Sequence, residues 1–392
     1  MTLETALSCV FWFSFLVLAY TFCGYPALVM CLSRLSRKSP LQTNETPLVS
    51  VVLAAHNEQE RIHARLQNLL SAEYPADKIE IVIVSDGSTD ATVDRAESID
   101  ERRVRVIHQT TRSGKAHCLN VGVAAACGEI VVFGDMRQRF APDTIARLVS
   151  HFSDARVGAV SGSLEIERSA SAIGGGVDAY WRLEKLIRFS EAQIDSSIGC
   201  TGAVYAIRRK NFQPIPSDTI LDDVVIPMQI ALQKLRVLFD PKAVAYDPQT
   251  LEPEREKIRK QRTLAGNFQM MFRYPGWLLP WVNRLWWQLI SHKYLRLAAP
   301  FFMLLLLVAN GLLLDSIFYR SIFIAQCLFY ALAISGRTFS SIQSRLFSIP
   351  AGFVFLNLMI LSGLYHHLRG SYRTGSWPMA KKSIAADACA KT

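Results

Sequence analysis

Two short acidic turns in the sequence carry the side chains best suited to chemistry. The first turn, residues 86–90 (DGSTD), follows an apolar, β-branched run from Glu80 to Ser85. The second turn, residues 134–137 (GDMR), follows a similar run from Glu129 to Phe133. Carboxylates and hydroxyls on such turns suit a ligand rich in hydroxyl and amide groups, although the same residue types also form ordinary turns and helix caps.

The elements that must position these acids alternate between strand and helix. Buried strands are predicted by the apolar runs at 49–54, 79–84, 104–107 and 129–133, and helical patterns lie between them at 59–72, 91–99 and 116–126. This alternation predicts an α/β fold with a parallel, doubly wound sheet. Because ligands of such sheets bind at the carboxyl ends of the strands, Asp86 and Asp135 are expected to face one crevice.

One kind of substrate would explain the charged residues that are expected at this crevice. A nucleotide-activated substrate would use a carboxylate and the Ser88 hydroxyl for its base and ribose, Lys115 for its diphosphate, and Asp135 for a bridging divalent cation. Mg²⁺ or Mn²⁺ suits such a site, because hard cations prefer carboxylate and phosphate oxygens. Asp222 or Asp223 could then remove a proton from an acceptor hydroxyl.

Two of these residues also have a simpler structural explanation. Lys115 could be a solvated amine at a turn, and Asp222 could cap a helix that begins near Val224. In the second case its neighbour Asp223 is the better candidate for the base.

Membrane segments are indicated by the distribution of apolar residues. Half of the residues are hydrophobic, the mean hydropathy is +0.19, and no charged residue occurs in 5–33, 297–314, 321–336 or 346–365. A span needs about 20 mostly apolar residues. The first segment reads as a retained anchor rather than a signal peptide, because it is long and lacks a small-residue cleavage site.

Charge and cysteine usage narrow the class of protein. The net charge of +10 comes partly from basic residues that flank the apolar segments, which favours contact with anionic lipid over binding of nucleic acid. The eight cysteines form no CxxC pair, so neither a disulfide framework nor a zinc site is expected. This usage is typical of a domain in the reducing cytosol.

Several motifs in fixed order resemble those of family 2 glycosyltransferases with a GT-A fold, over roughly residues 45–275. They are NE at 57–58, SDGSTD at 85–90, GKA at 114–116 with Asn120, and FGD at 133–135. Segments at 199–203, 222–223 and 259–266 resemble later motifs of the membrane-bound members, which include synthases of cellulose, chitin, hyaluronan and poly-N-acetylglucosamine. The resemblance implies a Rossmann-like, mostly parallel GT-A domain with flanking transmembrane helices. It also implies transfer of a sugar from a nucleotide-diphosphate sugar, such as a UDP-sugar, to a growing polysaccharide or other glycan acceptor.

The resemblance also implies roles for individual residues. The donor would be bound by Asn57, Glu58, Asp86, Ser88, Asp90, Lys115, Asp135 and Arg137. Asp135 would hold the Mg²⁺ or Mn²⁺ ion, and Asp223, the second acid of the pair with Asp222, would be the catalytic base. Gly202 and Arg262 would lie in the acceptor or processivity region, although Arg262 could instead pair with lipid phosphate.

The sequence departs from the family pattern in two places. Arg137 replaces the second acid of the frequent Asp-x-Asp motif, and its guanidinium could touch the diphosphate instead. Of the Gln-x-x-Arg-Trp motif that accompanies processive synthesis, only Arg262 survives, between Arg259 and Thr263. Two alternatives therefore stay open: single-sugar transfer to a lipid acceptor, and a non-catalytic nucleotide-binding membrane subunit.

These features predict a linear arrangement of units along the chain. We expect a transmembrane anchor at 1–38, the GT-A domain at 39–274, an interfacial amphipathic helix at 275–292, transmembrane helices at 293–370 and a basic tail at 371–392. The protein is expected in a plasma or inner membrane with its catalytic domain in the cytosol. Its expected partners are the nucleotide-sugar donor, a glycan or lipid-linked acceptor and membrane lipid, with no nucleic acid.

Overall fold

The computed structural model describes residues 2–36, 43, 45–167, 175–248, 253–338 and 344–372. Within these ranges eight strands form one sheet in the order β3-β2-β1-β4-β7-β6-β8-β5. The strands are β1 Val49–Ala55, β2 Ile79–Asp86, β3 Val104–Gln109, β4 Ile130–Gly134, β5 Arg139–Phe140, β6 Val157–Glu167, β7 Val204–Arg208 and β8 Arg236–Pro248.

Helices cover both faces of the sheet and extend beyond it. Those of the central domain are α3 Ile62–Leu70, α4 Thr92–Glu97, α5 Lys115–Ala125, α6 Thr144–Ser150, α7 Gly175–Ile194, α8 Asp222–Leu232 and α9 Pro253–Arg273. The flanking helices are α1 Leu3–Ala19, α2 Tyr25–Leu35, α10 Trp286–Gln288, α11 Leu295–Gly311, α12 Ile317–Thr338 and α13 Arg345–Leu368. Single π turns, Tyr20–Gly24 and Leu289–Tyr294, join α1 to α2 and α10 to α11.

The first half of the sheet has the predicted parallel arrangement. β1 pairs with β2 and β4, and β2 pairs with β3, all in parallel. Strands β1 and β4 are buried along their whole length, as expected when helices pack on both faces. One face packs against α5 and α8 and the other against α3 and α6, and this double layer is the core of the domain.

The second half of the sheet is mixed. β7 pairs antiparallel with β4 and with β6, whereas β6 and β8 are parallel. The prediction of a Rossmann-like, mostly parallel α/β fold is confirmed, but the doubly wound pattern stops at β4.

The register brings both acidic turns to one edge of the sheet. Ala55 of β1 pairs with Ser85 of β2, and Leu53 pairs with Gly134, the last residue of β4. The turns that begin at Asp86 and Asp135 therefore leave the sheet at the carboxyl ends of β2 and β4, the two strands that flank β1. This common edge is what the sequence predicted.

Four helical segments are long and apolar enough to cross a membrane. They are Leu3–Leu35, Trp286–Gly311, Ile317–Gly336 and Leu346–Leu368. They agree with the four uncharged segments found in the sequence. Most of the predicted basic tail, residues 373–392, lies outside the described residues, as do Lys38 and part of the linker after it.

The prediction of one continuous helix over 275–292 was wrong, whereas the interfacial position of this segment stays a prediction. The segment starts with a short 3₁₀ turn, Pro275–Leu278, and regular helix resumes only at Trp286. Asn283 holds the bend between them, because its Nδ2 donates to the Trp277 carbonyl at 2.8 Å and its Oδ1 accepts from Leu285 N at 2.9 Å. The residues from Trp286 onward belong to the second membrane segment.

Candidate active site

Two loops at the carboxyl edge form one hydrogen-bonded rim. The amide oxygen of Asn57, after β1, accepts from the backbone N–H of Thr89 at 2.8 Å, and the backbone N–H of Asn57 donates to the Ser88 hydroxyl at 3.2 Å. Asp90 Oδ2 accepts from the backbone N–H of Gln59 at 3.3 Å. Glu58 turns toward Arg61, with 2.8 Å between its Oε2 and Nη1. The predicted nucleoside residues therefore lie together, since these contacts tie the loop after β1 to the turn after β2.

Asp86 lies beneath this rim and is 1% exposed. Its Oδ1 accepts from the backbone N–H of Ser113 at 2.6 Å, and both carboxylate oxygens lie 3.0 Å from the N–H of Gly114. The carboxylate therefore fixes the loop that starts α5, where Lys115 is the first residue. Direct contact of Asp86 with a nucleoside stays a prediction.

Lys115 joins the second acidic turn to the acid pair of α8. Its Nζ lies 2.9 Å from Asp135 Oδ1 and 3.2 Å from Asp222 Oδ2. Burial lowers the pKa of Lys115, but the attraction of Asp135 and Asp222 outweighs it, so the pKa is raised above its usual value and the ammonium stays charged. Of the three side chains, Asp135 is the most exposed, at 25%.

Asp222 does not cap a helix that begins near Val224, so that alternative was wrong. The helix α8 begins at Asp222 itself, with Leu221 at the cap position. Asp222 turns its carboxylate to Lys115 because this is the cation within reach. Both acids lie in the first turn of α8, where the helix dipole favours negative charge.

Asp223 is packed against the loop that precedes β7. Its backbone carbonyl accepts from Cys200 N at 2.7 Å, and a Cβ placed on Gly202 would lie only 3.0 Å from its Oδ2. Burial raises the pKa of Asp223, the charge of Asp222 raises it further, and Lys115 and Arg188 pull it back, to about 6. Asp223 is half-buried, and a carboxyl of this kind whose pKa lies near neutral pH is suited to accept a proton from a hydroxyl.

The side chains around Asp135 fit a hard divalent cation that is shared with a diphosphate. No group of three or more His, Cys, Asp and Glu side chains forms a metal cluster among the described residues. Mg²⁺ is nevertheless commonly held by one or two carboxylates together with substrate phosphates. The partly exposed carboxylate of Asp135 meets this requirement, and Lys115 beside it offers a second positive charge.

Arg137 has a partner that could not be found from the sequence. Its Nη2 lies 2.5 Å from Asp247 Oδ2, at the end of β8, and Gln138 Nε2 donates to the same oxygen at 3.2 Å. Asp247 is 110 positions away from Arg137, so only the sheet topology brings them together. In this conformation the guanidinium is paired with protein rather than free for a diphosphate.

The two predicted acceptor residues lie on different elements. Gly202 contacts Asp223, as described above. Arg262 lies half-buried on α9, which also contacts the last membrane segment, because Gln261 Nε2 donates to Ser362 Oγ at 2.8 Å. The structure places Gly202 in the site and Arg262 on the helix that connects the domain to α13.

Part of the chain is similar to known proteins. Residues 50–213 match the family described as glycosyl transferase family 2. Poly-beta-1,6-N-acetyl-D-glucosamine synthase from Staphylococcus aureus (strain COL) is 28% identical over 228 residues, which are 55% of this chain and 54% of that protein. The synthase of the same name from Staphylococcus epidermidis is 25% identical over 256 residues, 64% of this chain and 59% of the relative. The chain thus spans little more than half the length of the curated relatives it matches.

A solved structure extends the likeness to the whole fold. A mannosyltransferase from Pyrobaculum calidifontis, in complex with GDP-Man and Mn²⁺, matches with a TM-score of 0.70 and 22% identity, over 92% of this chain and 99% of that one. At this identity the match establishes the fold alone. The resemblance found in the sequence is therefore confirmed: residues 50–213 match the model of glycosyl transferase family 2, and the fold is that of a GT-A glycosyltransferase.

Proposed function

We propose that the chain is a membrane-bound glycosyltransferase that moves a sugar from a nucleotide-diphosphate sugar to a glycan acceptor. The observation that carries this proposal is the line of charges from Asp135 through Lys115 to the pair Asp222-Asp223, at the carboxyl edge of the sheet. It places groups that can bind a diphosphate beside a half-buried carboxylate that can act as the base, and glycosyl transfer uses both.

Asp223 acts as the base in this proposal. It takes the proton of an acceptor hydroxyl while the hydroxyl oxygen forms a bond to the anomeric carbon of the donor sugar. The bond from that carbon to the diphosphate oxygen breaks, and the nucleoside diphosphate leaves. Lys115 neutralises charge on the diphosphate, and a Mg²⁺ or Mn²⁺ ion held by Asp135 would supply Lewis-acid stabilisation of the leaving group.

The hydrogen-bonded rim binds the nucleoside in this proposal. Asn57, Ser88 and Asp90 offer amide, hydroxyl and carboxylate groups at the edge, while Asp86 holds the loop before Lys115 from below. We propose a UDP-sugar as the donor, on the resemblance to polysaccharide synthases. A GDP-sugar is the alternative, because the mannosyltransferase of similar fold was solved with GDP-Man.

A second candidate is the transfer of one sugar to a lipid acceptor. The sequence favours it at one point, since Thr263 stands where processive members have tryptophan. Sizing of the product separates the two candidates: a ladder of chain lengths indicates a polymerase, and one discrete species indicates single transfer.

The experiment that tests the proposed function is a donor screen with the full chain in detergent. Wild-type protein with Mg²⁺ or Mn²⁺ should turn over at least one UDP- or GDP-sugar, and a chelator should abolish turnover. Asp135→Ala should be inactive. Asp143→Asn is the control, because this half-exposed acid lies just before α6 and pairs only locally with Arg147 among the contacts described. Tight nucleotide binding without turnover or metal dependence would instead support a non-catalytic subunit.

A further inference from the structure

A cluster of charged side chains lies buried between α7 and the membrane segments, outside the site described above. Glu184 and Glu191 of α7 both contact His292, which is in the π turn Leu289–Tyr294. The ring Nδ1 is 2.9 Å from Glu191 Oε1, and Nε2 is 3.0 Å from Glu184 Oε1. The His292 side chain is 0% exposed. A buried ring that bridges two carboxylates fixes its elements together, since breaking either contact leaves an uncompensated polar group.

The same two acids bind both of the membrane segments that contain a π turn. Arg296 Nη1 lies 2.7 Å from Glu184 Oε2, and the Tyr25 hydroxyl donates to Glu191 Oε1. Tyr25 directly follows the π turn Tyr20–Gly24. Single π turns inside α-helices are rare and frequently occur at functional sites. Here His292, inside one π turn, and Tyr25, directly after the other, both contact acids of α7.

Other contacts of α7 reach the loop that packs on the proposed base. Arg188 lies one helical turn after Glu184, with 3.5 Å between its Nε and Glu184 Oε1. Its Nη1 donates to Thr201 Oγ1 at 3.2 Å. Glu191 Oε2 accepts from the backbone N–H of Ile198 at 3.2 Å. Glu191 therefore binds one end of the loop 198–201 directly, and Glu184 reaches the other end through Arg188.

That loop determines where Asp223 can lie. Cys200 N donates to the Asp223 carbonyl, and the neighbouring Gly202 leaves no room for a Cβ beside the Asp223 carboxylate. Gly199 has a φ of +80°, a conformation that glycine adopts without strain. A shift of the loop therefore moves the carboxylate of Asp223.

We propose that Arg188 is a positioning residue for Asp223, and that the buried bridge from His292 to Glu184 and Glu191 fixes Arg188 from the membrane side. The inference rests on the proposed role of Asp223 as the base. It makes the membrane segments part of the catalytic apparatus, because displacement of a reacting group by about 1 Å can cost about 100-fold in rate.

The test compares kcat and donor KM of full-length variants in detergent. Arg188→Ala should lose about 10- to 100-fold in kcat while donor KM stays within about twofold. Added guanidinium ion, at concentrations too low to unfold the protein, should restore part of this loss, and Arg188→Lys should be intermediate. Arg284→Gln is the matched control. Arg284 lies just before α10 and pairs with Asp195, the residue after α7, at 2.9 and 3.1 Å, and its loss should leave kcat close to wild type.

A double variant tests whether His292 acts on Asp223 through Arg188. His292→Gln should lower kcat in the same way as Arg188→Ala, and the double variant should be no slower than Arg188→Ala alone. Additive losses, or an unchanged kcat in Arg188→Ala, would overturn the inference. If Arg188→Ala does not fold, as judged by nucleotide binding, Arg188→Lys and His292→Gln decide by the same criteria. Absence of turnover in the wild type counts against the proposed function, whereas turnover unaffected by these variants counts against this inference alone.

Discussion

Asp223 is half-buried beside a second acid, and both desolvation and the charge of Asp222 raise its pKa, to about 6. At neutral pH the carboxylate is therefore still ionised, yet it is a stronger proton acceptor than an ordinary aspartate. Lys115 limits the shift, because its ammonium lies next to Asp222 and attracts both acids.

The raised pKa predicts the pH dependence of the reaction. Turnover should fall as the pH decreases through about 6, because the protonated form of Asp223 cannot accept a proton. Asp222→Asn removes a charge that raises this pKa, so the acid limb of the kcat profile should move to lower pH. Profiles of the two proteins between pH 4.5 and 8.5, roughly two units either side of the limb, are the measurement. An acid limb that stays in place or moves upward in the variant would contradict the assignment.

The pair Arg137–Asp247 predicts a coupled effect on stability. Asp247 is 7% exposed as a side chain, so Arg137→Gln leaves a buried carboxylate without its main partner. Breaking such a pair costs about 3–5 kcal/mol, whereas removing both charges costs less. Thermal unfolding should therefore show Arg137→Gln less stable than the double variant Arg137→Gln/Asp247→Asn. Equal or additive losses would show that the pair is not coupled.

At the level of elements, the sequence predicted the first half of the sheet well. The runs before Asp86 and Asp135 are uninterrupted and apolar, and parallel strands with both faces buried show that pattern. The second half was harder to predict. β8 contains Asp240, Pro241 and Lys242, which argue against a strand, and the register between β6 and β8 shifts near this point. The contact of Arg137 with Asp247 depends on the pairing of β5 with β8, in which Arg139 lies opposite Tyr246, and could not be predicted without it.

The loop before β7 gives a prediction at the same scale. Gly202→Ala places a methyl group against the Asp223 carboxylate, which must move, so kcat should fall by about 10-fold or more. Nucleotide affinity should be retained, because the rim around Asn57 is untouched. Gly276→Ala is the control, since a Cβ there meets no atom within 4 Å. Wild-type kcat in Gly202→Ala would show that the loop does not constrain the base.

For the whole molecule, the membrane segments and the catalytic domain share buried polar contacts. The sequence revealed the four apolar segments by composition alone. The bridge at His292 could not be predicted, because it joins residues 101 and 108 positions apart through side chains that look like an ordinary polar helix face. Arg34 in the last turn of α2 favours entry into the cytosol at that point. We therefore propose a cytosolic catalytic domain.

Cys127 offers a direct test of this orientation. It is exposed on the catalytic domain, whereas Cys9, Cys23, Cys31 and Cys327 lie in membrane helices. In a Cys389→Ser background, a membrane-impermeant maleimide should leave Cys127 unmodified in intact cells and label it in inside-out vesicles. Labelling in intact cells would place the domain on the outside. Cys127→Ser is the control for residual labelling of the helices.

The central claim is that Asp223 is the base of a sugar transfer, and Asp223→Asn tests it most directly. The amide keeps the shape of the side chain but cannot accept the proton, so nucleotide binding should be retained while kcat for transfer falls by about 100- to 10,000-fold. Both quantities can be measured on the same preparation, with binding by calorimetry and transfer by release of nucleoside diphosphate. Transfer by Asp223→Asn at a rate close to wild type would contradict the account.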